Sequence, residues 1–168
     1  DPENKAGWDG YLAHRPMTIP TKISLGVKTA QGVNSMTSNF VYAAPATAEV
    51  DFAYNMAKWI HESHDAYKGS HALAARMSVD LFRGYLDNNP MPIHEGTVKY
   101  LREIGQWTDE DDVWNNAAIE LMDKWVEARR AGMKDAMEQG IEINFENEAF
   151  LELMAKHTEG LPAFRSRL

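Results

Sequence analysis

Cysteine is absent from the 168 residues, which excludes a disulfide framework, thiol catalysis and a zinc-thiolate site. Basic residues are few: 17 Lys and Arg stand against 25 Asp and Glu, for a formal net charge of −8. Phosphate backbones and anionic membrane surfaces call for clustered Lys and Arg, so nucleic acid is set aside as a partner class. No apolar run approaches the roughly 20 residues of a membrane span. The opening Asp1-Pro2-Glu3-Asn4-Lys5 holds neither an initiator Met nor a signal-peptide core, so the chain is expected to be soluble and either processed or cut from something longer. What is present suffices for a core: 44% of residues are hydrophobic, and a chain of this length can bury roughly 70% of its unfolded surface.

Gly7, Gly10, Pro16 and Pro20 punctuate residues 1 to 21, which read as an irregular lead-in. Two extended stretches are expected next, around Lys22 to Val27 and around Met36 to Ala43. The second carries the β-favouring Phe40, Val41 and Tyr42, and a turn containing Gly32 separates the two. Beyond Pro45 the period becomes helical. Thr47 is the expected cap of a helix whose apolar stripe is Val50, Ala53, Tyr54, Ala57 and Ile60. Further helices are expected at His71 to Arg76, at Val79 to Leu86 with Ser78 as cap, and at Glu95 to Ile104, ended by Gly105. Thr108 followed by Asp109, Glu110, Asp111 and Asp112 has capping-box spacing, and the carboxylates suit the positive end of a helix dipole. That helix carries Trp114, Leu121, Met122 and Trp125 on one stripe and runs to Gly140, on the order of 45 Å. Such a length exceeds what a small core covers, so part of its face is expected to meet another chain or a missing part of this one. A last helix spans about Glu146 to His157.

Signs of catalysis are thin. There is no nucleophile elbow, phosphate loop or dinucleotide glycine pattern. His61 and His64 share a helix face with His71 downstream, which is readable as a small metal-dependent site, although a closed site needs a ligand from elsewhere. The acidic run lacks the alternating ligands and central glycine of a calcium loop and is read as helix capping. Trp114 and Trp125 are read as core or interface. Tyr11, His14 and Arg15 sit in a Gly- and Pro-flanked loop, where an arginine can hold a carboxylate with two parallel hydrogen bonds.

Residues 91 to 105, Met-Pro-Ile-His-Glu-Gly-Thr-Val-Lys-Tyr-Leu-Arg-Glu-Ile-Gly, go further. They resemble the closing motif of the TAXI family of TRAP-transporter solute-binding proteins, in which a Pro-apolar-His-x-Gly turn opens a helix with an aromatic in its second turn and a Glu-x-Gly end. Tyr11 followed by Met17-Thr18-Ile19-Pro20 is similar to that family's aromatic lead-in to its Ile-Pro segment, and Phe40-Val41-Tyr42 to the strand before its lobe-completing helix. The resemblance covers residues 8 to 107. One departure stands out: where the family has Tyr-Pro-Gly, this chain has Ser24-Leu25-Gly26, so no role can be carried over for the missing tyrosine.

The resemblance implies an α/β fold class, namely the helix-rich C-terminal portion of a two-lobed periplasmic binding protein with two or three strands at its N-terminal end. Residues 1–36 would end the second lobe and form the hinge crossing, 37–107 would complete the first lobe, and 108–168 would be a helical extension. The implied function is capture of a small organic acid or amino acid in an interlobe cleft and its delivery to TRAP membrane subunits. The setting would be the periplasm, with no enzymatic step, no cofactor and no metal. Tyr11 and Arg15 are the expected ligand contacts. Strands left without their sheet are expected to make the chain pair with a copy of itself, covering the exposed edge and the long helix. The alternative is a helical interaction module in which residues 108 to 160 dimerise without any ligand.

Overall fold

A computed structural model describes residues 1, 3–15, 17–38 and 41–164. Helices dominate it. In chain order they are α1 (Lys5–Leu12), α2 (Val50–Glu62), α3 (His64–Tyr67), α4 (Val79–Leu86), α5 (Glu95–Glu103), α6 (Asp109–Glu138) and α7 (Glu148–His157), with strands β1 (Thr18–Lys22) and β2 (Asn34–Ser38) between α1 and α2. The expected fold class, helix-rich with a small sheet near the N-terminal end, is the one observed. The chain divides into two compact units, Asp1–Asn115 and Asn116–Phe164, and α6 contributes to both.

The lead-in expected to be irregular is a helix. Asn4 caps α1 by accepting a hydrogen bond from the Gly7 N–H at 3.1 Å, and the Trp8 indole donates to the Asp1 carbonyl at 2.8 Å. These local bonds outweigh the poor helix propensity of Gly7 and Gly10. The strands also differ from expectation. They form an antiparallel hairpin in which Thr18 lies opposite Ser38 and Pro20 opposite Met36, so each begins and ends earlier than its sequence suggested. At Gly32, where φ is +84°, the turn forms a bulge that places Ile23 opposite Val33. Pairing stops at Thr18 because its N–H turns back to the Arg15 carbonyl at 3.1 Å. Val41 and Tyr42 therefore have no strand to face and stay non-regular, while Phe40 lies outside the described residues.

From α2 onward the reading from periodicity holds better. The start of α2 slips from Thr47 to Val50, because the Ala48 carbonyl is held by His94 at 3.2 Å instead of entering the helix. The expected helix at His71 to Arg76 shrinks to a 3-10 turn over Ala74–Arg76, and α3 follows α2 almost directly. Helix α4 has its expected bounds, with the Ser78 hydroxyl accepting from Leu81 N–H at 3.3 Å. Glycines with positive φ close α5 and α6 where expected, Gly105 at +69° and Gly140 at +67°.

In the first unit the core gathers Leu86, Val98, Leu101 and Trp107, with Phe82, Ile93 and Trp114 packed against them. Its tightest contact joins α2 and α5 at Gly96. A Cβ there would lie 2.1 Å from the Val50 carbonyl oxygen and 2.8 Å from the Tyr54 nitrogen. In the second unit the C-terminal half of α6 packs on α7. A Cβ on Gly132 would meet the Met154 sulfur at 2.6 Å, Ala136 is fully buried, and His157 Nε2 lies 2.8 Å from Asp135 Oδ2. The Trp125 indole donates to the Pro162 carbonyl at 2.8 Å, which ties down the segment after α7.

Gly96→Ala is expected to cost about 3 kcal/mol of stability in urea denaturation, because the clash is with backbone that cannot rotate away. Gly84→Ala is the control. It lies in α4 with nothing within 4 Å of the added methyl, and it should gain roughly 0.5 to 1 kcal/mol from helix propensity alone.

Candidate functional site

Two places hold polar and aromatic groups in defined geometry. One is the His94 to Gly105 motif, and the other is a hollow between α1 and β2.

The motif begins in a stretch that prolines keep out of regular structure. Its backbone is satisfied by two buried amides: Asn89 donates to the Met91 carbonyl at 2.6 Å and accepts from the Met91 N–H, while Asn115 accepts from Ile93 N–H at 2.6 Å and donates to Ile93 O at 3.0 Å. His94 then caps α5. Its Nδ1 accepts from the Gly96 N–H at 3.1 Å, so Nε2 carries the proton and donates to the Ala48 carbonyl at 3.2 Å. Gly96 permits the close approach already described. One turn on, the buried Tyr100 meets Tyr54 edge to face at 5.6 Å, and its hydroxyl is 2.7 Å from His61 Nδ1. Tyr54 in turn donates to Glu103 Oε2 at 2.6 Å, with the Lys99 ammonium 4.9 Å from its ring centre. His94, Lys99, Tyr100 and Glu103 are thus engaged in clamping α5 to α2 and the residues just ahead of it.

These surroundings move the phenols. The hydrogen bond to the Glu103 carboxylate pushes the Tyr54 hydroxyl up to about 12, since a phenolate would face a carboxylate at contact distance. Burial raises Tyr100, with Glu62 and Glu103 adding to it.

A second ionic cluster fixes the start of α6. The Thr108 hydroxyl accepts from the Asp111 N–H at 3.2 Å, and Asp111 Oδ2 accepts from the Thr108 N–H at 2.8 Å, closing the expected capping box. Asp111 is also fully buried and takes two hydrogen bonds from the Arg83 guanidinium, at 2.8 and 3.0 Å. Asp112 pairs with Arg102 and accepts from the Trp107 indole at 2.9 Å. The indole bond, then Arg102, holds its carboxyl below the ordinary carboxylate range. Sequence spacing found the box but not Arg83, which lies 28 positions away with no local signal.

The three histidines do not converge. His61 is committed to Tyr100, and His71 Nδ1 accepts from Leu73 N–H at 3.0 Å. His64 meets Tyr67 edge to face at 5.4 Å. No cluster of three or more His, Asp or Glu suited to a metal ion occurs among the described residues.

The hollow, of about 330 Å³, is lined by Asp1, Asn4, Gly7, Trp8, Tyr11 and Met36. Trp8 and Tyr11 lie one turn apart on α1 and meet edge to face at 5.7 Å, and the Tyr11 hydroxyl donates to the Met36 sulfur at 3.3 Å. Of the two expected ligand contacts, Tyr11 therefore lines the hollow. Arg15 does not. It follows α1, its N–H donating to the Tyr11 carbonyl at 3.0 Å, and its guanidinium makes no ion pair among the described residues. Trp8 and Met36 escaped the sequence reading because the i, i+3 relation of Trp8 and Tyr11 carries meaning only once α1 is known to be helical.

The chain belongs to the NMT1-like family, whose model matches residues 5–105. That family is periplasmic-binding-protein-like; its general role is solute binding, its setting is usually extracytoplasmic, and it is generally non-enzymatic. The matched span begins with α1 and closes on Gly105, the glycine that ends α5. No curated protein and no solved structure matches the chain. No helix among the described residues is long and apolar enough to cross a membrane.

The clamp predicts a spectroscopic signature. Followed by ultraviolet absorbance, one tyrosine should ionise near pH 12, and Glu103→Gln should bring it back toward the ordinary value of about 10. The sign follows from tighter proton binding in the folded state. This contribution to stability is complete below the unfolded tyrosine pKa of about 10 and disappears as pH rises through about 12. An unchanged titration in Glu103→Gln would show that the carboxylate is not the cause.

Proposed function

We propose that this chain is the C-terminal portion of a TAXI-type, TRAP-linked periplasmic solute-binding protein that captures a small organic acid or amino acid and presents it to membrane subunits. The observation that carries this reading is family membership over residues 5–105, with the His94, Gly96, Tyr100 and Glu103 signature inside the matched span. Residues 1–36 would end one lobe and cross the hinge, 37–107 would complete the other lobe, and 108–168 would be an extension. The mechanism is closure of two lobes over the ligand: solute binds the closed form better and shifts the population toward it, with no bond made or broken. Tyr11 supplies a hydroxyl at the hollow. Arg15, with its guanidinium unpaired among the described residues, supplies the fork that recognises a carboxylate.

The test is a thermal-shift screen of small carboxylic acids and amino acids against the full-length protein, followed by calorimetry on any compound that stabilises it. Arg15→Ala should weaken that compound about 10- to 100-fold, the range expected for losing a charge-assisted pair, and Lys22→Ala should leave it unchanged. Equal affinity in Arg15→Ala removes Arg15 from the site, and a screen without any shift refutes the solute class.

A second reading, the dimerising helical module of residues 108 to 160, is favoured by Met133, Met137, Phe145 and Leu151, which are 36, 66, 79 and 48% exposed. On that reading Met137→Lys should abolish self-association in sedimentation velocity. A chain that is monomeric before the substitution contradicts it.

A further inference from the structure

His94 stands between two backbone groups. Its Nδ1 accepts from the Gly96 N–H at 3.1 Å and its Nε2 donates to the Ala48 carbonyl at 3.2 Å. Each partner has one role, since an amide N–H can only donate and a carbonyl can only accept, so the ring fits between them in a single neutral form. Three other histidines accommodate a second proton. His61 faces the Tyr100 hydroxyl, which can turn from donor to acceptor, and His157 faces the Asp135 carboxylate, which favours a positive ring. His71, whose Nδ1 accepts from Leu73 N–H, is exposed, so water can replace that bond. Water has no such access at Gly96, which is buried and pressed against the backbone of α2 at Val50 and Tyr54. An N–H stripped of its acceptor there goes unsatisfied.

We propose that His94 is an acid-sensitive catch on the α2–α5 contact: a proton taken up at Nδ1 removes the acceptor of the Gly96 N–H, uncaps α5 and loosens its hold on α2. The proton comes from solvent, and Nε2–H keeps its bond to the Ala48 carbonyl, so the loss falls on the cap. The positive end of the α5 dipole also opposes the new charge. Charged groups on the neighbouring elements do not offset this. Glu95 on α5, with Glu49 and Asp51 at the start of α2, are exposed and therefore screened, and the Lys99 ammonium lies 3.8 Å from Asp51. On α6, Asp111 is committed to Arg83 of α4 and Asp112 to Arg102, while Asn115, which reaches Ile93, is uncharged. Among the described residues no charged group bonds either nitrogen of the His94 ring. The folded site resists a proton that an unfolded histidine accepts. The stability contributed by the cap is thus present in the neutral range and lost on acidification.

Amide hydrogen exchange followed by nuclear magnetic resonance reads the cap directly. Corrected for the intrinsic pH dependence of exchange, protection of the Gly96 amide in the 168-residue chain should fall about tenfold or more between about pH 8 and pH 5. The fall should follow protonation of the His94 ring, read from its nitrogen chemical shifts. In His94→Asn, whose side-chain oxygen caps a helix but does not titrate, protection should hold across that range. If His94→Asn alters the far-ultraviolet circular dichroism, the match between the His94 ring titration and Gly96 protection in the unsubstituted chain decides by itself. Protection that does not change with pH overturns the proposal. So does a fall of equal size in His94→Asn. The competing histidine is His64, whose Nε2 is buried with no hydrogen bond among the described residues, and a fall that follows its ring and vanishes in His64→Gln also overturns the proposal.

Discussion

The backbones of α2 and α5 touch at Gly96 with no space for even a methyl group, and the arrangement of the first unit depends on that contact. Because the helices are this close, His94 at the end of α5 reaches the Ala48 carbonyl just ahead of α2. Two further cross-helix bonds, Tyr100 to His61 and Tyr54 to Glu103, follow one and two turns along. A larger residue at position 96 would separate the helices by more than any of these bonds can span. The conformational entropy of ordering two tyrosines and a histidine is offset here by packing density, because apolar ring edges and hydrogen bonds are supplied from the same two faces.

The entry to α6 is held by charge. Asp111 is fully buried, and Arg83 meets it with a two-pronged hydrogen bond while Thr108 supplies a backbone N–H and a hydroxyl. Such a pair adds little net stability when intact, because two ions must leave water. Removing one partner strands the other, at a cost of about 3 to 5 kcal/mol. The cluster therefore acts mainly as a register device: only one docking of α6 onto α4 and α5 satisfies the buried carboxylate.

The close packing and buried hydrogen bonds are thus concentrated in the clamp and at the start of α6, while the hollow at Tyr11 and the hairpin lie where large apolar side chains stay exposed, Val27, Val33 and Met36 among them. His94, Gly96 and Tyr100 consequently mark how α5 is held against α2.

Helices α4, α5 and α6 were legible because each carries its own stop and start: Ser78, the prolines before Ile93, Gly105, Thr108 and Gly140 act on neighbours within four residues through bonds the backbone must make anyway. The class, helix-rich with a small sheet, followed from the same local signals, as did the chemistry that missing cysteine and scarce basic residues rule out. What only the tertiary structure decided is what depends on distant partners. The register of β1 on β2 is set by a bulge and by a turn into α1, so the strong β-propensity of Val41 and Tyr42 goes unused. The start of α2 moves because His94, 46 positions on, claims the Ala48 carbonyl. Arg83 finds Asp111, and Met36 finds Tyr11, across 28 and 25 positions. No periodicity or cap encodes such pairings, since their energy exists only once the elements are packed together.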